Sequence, residues 1–131
     1  MMNVNDPPRK AVVTGATRGI GYAIASKFVS EGYDVLVVGS SPGSKGPEGS
    51  IYTGADFTRE SDIESLCRQL EDFRPDVLVN CAGVNVIDKF ADIDPADFDR
   101  IQQVNVYAPF RLSRACTSNM ISNSWGRIIN I

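Results

Sequence analysis

The chain has 131 residues, 43% of them hydrophobic and 22% charged, with a formal net charge of −3 and no histidine. That length holds one domain at most, the composition is that of an ordinary globular protein, and the acidic balance gives no basic footprint for nucleic acid. No apolar run is long enough to span a bilayer, and a histidine base and a histidine metal ligand are both excluded; no metal site is expected.

The start, MMNVNDPPRK, is polar with two prolines and does not fit a signal peptide. Residues 11–14 (AVVT), 35–39 (VLVVG) and 77–79 (VLV) are short apolar runs bounded by Gly, Asp or Asn. Such runs predict strands buried on both faces of a parallel sheet. Helical spacing separates them. Ile20, Ile24 and Phe28 recur every four residues, and Ile63, Leu66, Leu70 and Phe73 are three and four apart. Phe98, Ile101, Asn105, Ala108, Leu112 and Ala115 extend the pattern into a long helix over about 96–122. The final GRIINI, 126–131, predicts a fifth, buried strand over 128–131. The alternation makes the chain α/β with a doubly wound sheet. Residues 40–50, SSPGSKGPEGS, have no helical period, and the spacing predicts a loop or single turn there.

Residues 14–21, TGATRGIG, follow the first strand and open the first helix. Gly15, Gly19 and Gly21 let the backbone turn tightly and approach a phosphate with no Cβ in the way. Free N–H groups and the helix dipole favour a pyrophosphate at such a place. A plain strand-to-helix turn is the alternative reading of the same residues.

Here the sequence resembles the short-chain dehydrogenase/reductases. TGATRGIG is similar to their cofactor loop, TGxxxGxG, and NCAG at 80–83 to their NNAG motif, with Cys81 at its variable place. Asp56 matches an acidic residue that contacts adenine, Asn105 a catalytic asparagine, and GRIINI the strand leading to a catalytic serine. The resemblance covers roughly residues 9–131, and the branch it suggests contains the 3-oxoacyl-carrier-protein reductases. It implies a Rossmann-type parallel sheet of order 3-2-1-4-5, truncated before strands 6 and 7. Residues 1–131 would be the NAD(P)-binding domain, without the catalytic Ser and Tyr-x-x-x-Lys segment. Tyr107 is followed four residues on by Arg111, and Tyr22, Tyr33 and Tyr52 have no Lys at that spacing.

The cofactor site implied by the resemblance comprises Gly15, Thr17, Arg18, Gly19, Ile20 and Gly21 from the loop and Ser40 and Ser41 after the second strand. Asp56, Phe57, Asn80, Ala82, Gly83 and Val104 complete it. The end of the second strand reads Gly39-Ser40-Ser41, with no carboxylate to bind a ribose 2′-OH or repel a 2′-phosphate. Arg18 and Lys45 are within reach of a phosphate, which Arg can bind bidentately. NADP is therefore expected over NAD, the other reading being that both cations are solvated surface charges.

Asn105 falls on the apolar stripe of its helix, where an amide must find partners or cost roughly 1–3 kcal/mol. Pro109 has no N–H to give the Asn105 carbonyl, so the helix should kink and leave an acceptor free. In the family that carbonyl holds a water connecting to the catalytic lysine. An ordinary proline kink is the alternative. Cys81 is expected as a small buried residue beside the cofactor, and Trp125 at the end of the long helix. Asp88, Asp92, Asp94, Asp97 and Asp99 lack EF-hand spacing and read as a solvated helix start.

The parent function expected is NADPH-dependent reduction of a small-molecule or acyl-carrier-bound carbonyl, or the reverse oxidation. The cytoplasm is the expected location, since the three scattered cysteines form no CxxC pair and suggest reduced thiols. A homo-oligomer in the full-length protein, with no nucleic-acid or membrane partner, is expected too. A chain ending at Ile131 should self-associate or be marginally stable, because its last strand would be an unpaired apolar edge. The competing expectation is a non-catalytic nucleotide-binding or partner-binding module that naturally ends there.

Overall fold

A computed structural model describes residues 6–131. β1 (Lys10–Thr14), β2 (Asp34–Gly39), β3 (Ile51–Gly54), β4 (Val77–Asn80) and β5 (Arg127–Asn130) form one sheet. Its order is β3-β2-β1-β4-β5 and every pair is parallel. The registers Val12↔Leu36 and Val12↔Leu78 put β1 at the centre. The fold class expected from the sequence is thus observed.

Alternation along the strands builds two cores. Val12, Leu36, Val38 and Leu78 pack on one face against α2 (Glu60–Phe73) and α4 (Ala108–Ser122), through Ile63, Leu66, Leu70, Leu112 and Cys116. Ala11, Val13, Val35, Val37, Val77 and Val79 meet α1 (Gly19–Ser30) on the other, through Ala25 with Ile24, Phe28 and Val29. Each such Val or Leu contributes about 1.5–3 kcal/mol of transfer free energy on burial. Both faces need apolar residues, hence continuous runs instead of alternation with polar ones. None of the described helices is long and apolar enough to cross a membrane.

The connection from β2 to β3 has no helix, as its composition predicts. It is nevertheless packed. Pro47 is buried, the Ser50 hydroxyl donates to the Pro47 carbonyl at 2.6 Å, and a β-carbon at Gly46 would lie 2.8 Å from a Val37 methyl.

Two expectations need correction. The long helix is three pieces: α3 (Pro95–Gln102), a π-helical turn over Gln103–Tyr107, and α4. Asp94 caps α3, accepting the Ala96 N–H at 2.8 Å. The expected kink takes the form of the wide turn, with the Ala108 N–H reaching back to the Gln103 carbonyl just before Pro109 removes the next donor. Glu60 and Arg111 form an ion pair joining α2 to α4, and Arg111 donates to the Tyr107 hydroxyl at 2.7 Å. The second correction is β5. It begins at Arg127, and Ile128 and Ile129 are 41% and 42% exposed, not buried. Among the described residues it pairs with β4 alone, and its side chains belong to neither core.

Candidate functional site

Parallel strands all end at one edge of the sheet, and α1 and α2, which follow β1 and β3, begin there. At that edge lies a cleft of about 750 Å³. Its floor is the turn from β1 to α1. The Gly15 N–H donates to the Val38 carbonyl at 2.8 Å, tying the turn to the end of β2. Across the turn, the buried Thr14 hydroxyl accepts the N–H groups of Cys81 at 3.1 Å and Ala82 at 3.0 Å. These bonds hold three strand ends in register around the cleft.

Gly15 has φ +64°, and a β-carbon there would lie 2.7 Å from the Ala82 Cα. At Gly21 a β-carbon would lie 2.3 Å from the Gly15 carbonyl oxygen, so α1 can approach the strand only with glycine. Both contacts are with backbone, which cannot swing aside. Gly19, by contrast, has no heavy atom within 4 Å of where its β-carbon would stand. The first turn of α1 thus faces open space, and the N–H groups of Gly19, Ile20 and Gly21 lack intrahelical acceptors. Arg18, at the N-cap, makes no side-chain capping bond, and no acid lies in the first turn. A pyrophosphate fits this arrangement.

Thr17, Arg18, Ile20 and Ser40 line the cleft along with the three glycines. On the far side stand Asp56 and Phe57, and on the near wall Ala82, Gly83 and Val104. Asp56 is the cleft's one acidic lining residue. Its carboxylate accepts the Thr58 hydroxyl at 2.7 Å and the Thr58 N–H at 2.9 Å. Those two bonds, the hydroxyl first, hold its carboxyl below the usual range, with Arg59 adding a lesser pull. Ser41 does not line the cleft; its carbonyl accepts the Tyr52 hydroxyl. Lys45 is exposed and lines neither this cleft nor the next.

A second cleft, about 570 Å³, adjoins the first through Cys81, Ala82 and Gly83. Asn80 and Asn105 line it, along with Pro109 and Ser113. Asn80 is 5% exposed and its side-chain nitrogen donates to the Asn130 side chain at 2.9 Å, while its side-chain oxygen is buried with no partner among the described residues. Asn105 is exposed, not buried on an apolar stripe. Its amide accepts the Val84 N–H at 2.9 Å and donates to the Val84 carbonyl at 2.8 Å. Cys81 is half-buried and lines both clefts.

Thr14, Ala55, Thr58 and Val84 also shape the site and were not singled out by the sequence. Thr14 opens the TGATRGIG motif, so the signal for it was present. Trp125 follows α4, with its N–H on the Met120 carbonyl at 3.0 Å and its ring stacked under the Arg9 guanidinium at 3.7 Å. It sits far along the chain from every residue of the first cleft except Ile131.

The short chain dehydrogenase family model matches residues 9–131. A 3-oxoacyl-[acyl-carrier-protein] reductase FabG from Haemophilus influenzae is 37% identical over 131 residues, 92% of this chain and 53% of its own. A D-beta-hydroxybutyrate dehydrogenase from Cupriavidus necator is 32% identical over 134 residues, 94% of this chain and 52% of its own. The crystal structure of a metagenomic short-chain oxidoreductase in complex with NADP superposes with a TM-score of 0.82 at 33% identity, over 93% of this chain and 60% of that one. The chain spans about half the length of the curated relatives it matches.

Proposed function

The chain belongs to the short chain dehydrogenase family, and from that premise we propose that it is the cofactor-binding part of an NADPH-dependent carbonyl reductase or alcohol dehydrogenase. The observation that carries this reading is the first cleft. Arg18 and Ser40 line it beside the glycine turn that opens α1, and no carboxylate stands at the end of β2. A dianionic 2′-phosphate is favoured where donors and a cation meet it without a facing acid. NADP in the metagenomic relative is consistent with that choice.

In this reading the glycine turn takes the pyrophosphate, Asp56 and Phe57 border the adenine, and Cys81 to Val84 with Val104 wall the nicotinamide end. When bound, the nicotinamide supplies the hydride. Asn105 is proposed as the catalytic asparagine. Its side chain is occupied by Val84, which leaves the backbone carbonyl opposite Pro109, with no i+4 donor, as the group able to hold a water. Asn105 and Pro109 both line the second cleft, as does Asn80, whose buried side-chain oxygen has no partner among the described residues. The substrate class proposed is a small or acyl-carrier-bound carbonyl compound, after the FabG and hydroxybutyrate relatives. Fluorescence titration of the purified protein tests the core of the proposal: NADPH should bind more tightly than NADH, and equal or tighter NADH binding overturns it.

A further inference from the structure

The turn leaving β2 is held in a way that no cofactor motif explains. Tyr52 lies on the edge strand β3, opposite Val37 in register, with its ring packed against the α1-side core. Its hydroxyl crosses the end of β2 and donates to the Ser41 carbonyl. The same carbonyl accepts the Ser44 N–H at 3.4 Å, which closes a four-residue turn. Gly39 makes this crossing possible. A β-carbon there would lie 3.0 Å from the Tyr52 hydroxyl and 2.7 Å from a Thr17 methyl. Three segments thus meet at one point: the glycine turn, the end of β2 and β3. Pro42 follows Ser41, so the 41–42 peptide offers a carbonyl but no N–H.

The direction of that carbonyl matters to an anion. Ser40 lines the cofactor cleft and Tyr52 does not. A carbonyl tied to Tyr52 is therefore held toward β3. Freed, it is able to turn its oxygen toward the cleft mouth, where a partial negative charge opposes a phosphate. Burial pushes the Tyr52 phenol up, so the hydroxyl remains a donor at neutral pH.

We infer that Tyr52 is a positioning residue for cofactor choice: by holding the Ser41 carbonyl, it keeps the Ser40–Ser41 segment turned so that a 2′-phosphate meets hydroxyl and N–H donors instead of a carbonyl dipole. The inference rests on the NADP reading above and adds a residue outside the cleft that enforces it. NADH has no 2′-phosphate, so its binding should depend little on this hydroxyl.

The test uses the purified protein with Tyr52 unchanged, Tyr52→Phe and Tyr52→Leu. Dissociation constants for NADPH and for NADH come from fluorescence titration, and melting temperatures from the same samples. Tyr52→Phe keeps the ring and should weaken NADPH about five- to tenfold, the worth of one lost hydrogen bond, with NADH changed less than about twofold. Tyr52→Leu should show the same selectivity loss with a lower melting temperature. A wild type that prefers NADPH, with a Tyr52→Phe variant that keeps the full preference or loses both cofactors equally, overturns the inference alone. A wild type that binds NADH as tightly as NADPH overturns the cofactor reading, and the inference with it.

Discussion

The side-chain amide of Asn105 pairs with both backbone groups of Val84, its oxygen 2.9 Å from the N–H and its nitrogen 2.8 Å from the carbonyl. The amide copies one rung of a sheet ladder. It fixes the loop after β4 to the π-helical turn, and so fixes one cleft wall to the other. Asn105→Asp keeps the acceptor but sets a carboxylate against the Val84 carbonyl. It should lose about 1–2 kcal/mol in urea unfolding, more than half of it recoverable in Asn105→Ala, which removes the repulsion along with the bond. Equal stability of all three proteins would show that the pair carries no weight.

The glycines of the turn separate packing from conformation. Gly21→Ala forces a β-carbon against the Gly15 carbonyl, and a backbone clash of that kind should cost about 2–3 kcal/mol. Gly19→Ala meets open space and bears only the strain of φ +59°, about 1–2 kcal/mol. Thermal unfolding should rank wild type above Gly19→Ala above Gly21→Ala. The reverse order would mean that the turn is not packed as described.

Cofactor choice should respond to one side chain. Ser40 lines the cleft just past β2, where a carboxylate would bind a ribose hydroxyl and repel a 2′-phosphate. Ser40→Asp should therefore move preference toward NADH by at least about tenfold, in line with one charge-assisted hydrogen bond. An unchanged preference in paired NADPH and NADH titrations would refute the placement of the 2′ position at Ser40.

Much of this was written in the sequence because it is local. β1, β2 and β4 are legible as β-branched runs, and the glycine turn as a spacing, since each depends on neighbours along the chain. What was missed depends on distance. The isoleucines of β5 suggested a buried strand, while its expected place at an open apolar edge suggested exposure; burial is decided by what covers a strand, and among the described residues β5 pairs with β4 alone. Asn105 sits 21 residues from Val84, and Thr14 sits 67 from Cys81; no periodicity encodes either pair. Pro109 announced a lost hydrogen bond, but the wide turn that answers it was not foreseeable from the missing N–H. Ser41 is adjacent to a cleft residue in sequence and still does not line the cleft, and its carbonyl accepts the hydroxyl of Tyr52, 11 residues on.

The 131 residues contain no histidine and no Tyr-x-x-x-Lys pair. General acid catalysis of carbonyl reduction needs a proton donor at the substrate oxygen, and none of the groups lining either cleft is a tyrosine or lysine. These residues alone should bind NADPH without turning over any of a panel of ketones and 3-oxoacyl thioesters. Turnover above background, in protein free of host reductases, would contradict the assignment of roles.

Acid stability should carry the mark of Asp56. The Thr58 hydroxyl and N–H hold its carboxyl below the ordinary range, so the bond stabilises the fold at neutral pH and is lost as pH falls through the native value. Thr58→Val removes the hydroxyl and raises that value. The variant should be less stable than wild type at pH 7, and the gap should close in acid. A gap that is constant down to pH 2 would assign the loss to packing.

The cysteines offer a direct view of the cleft. Cys116 lies in the core with its thiol pushed up to about 12 by burial, and Cys67 is buried with its thiol raised by the same cause. Since the thiolate is the nucleophile, both should be inert to a disulfide reagent at pH 8 while the fold holds. Cys81 differs in access: it is half-buried and lines both clefts. One thiol of three should therefore react quickly, and Cys81→Ser should abolish that phase. Saturating NADPH should slow it at least about tenfold, because the proposed nicotinamide end covers the Cys81–Gly83 wall, and a group under a bound ligand reacts only in the small free fraction. Mass mapping after brief labelling identifies the site. Fast labelling of Cys67 or Cys116 would show a looser core than the packing implies. Labelling at Cys81 that ignores NADPH would place the cofactor away from this wall.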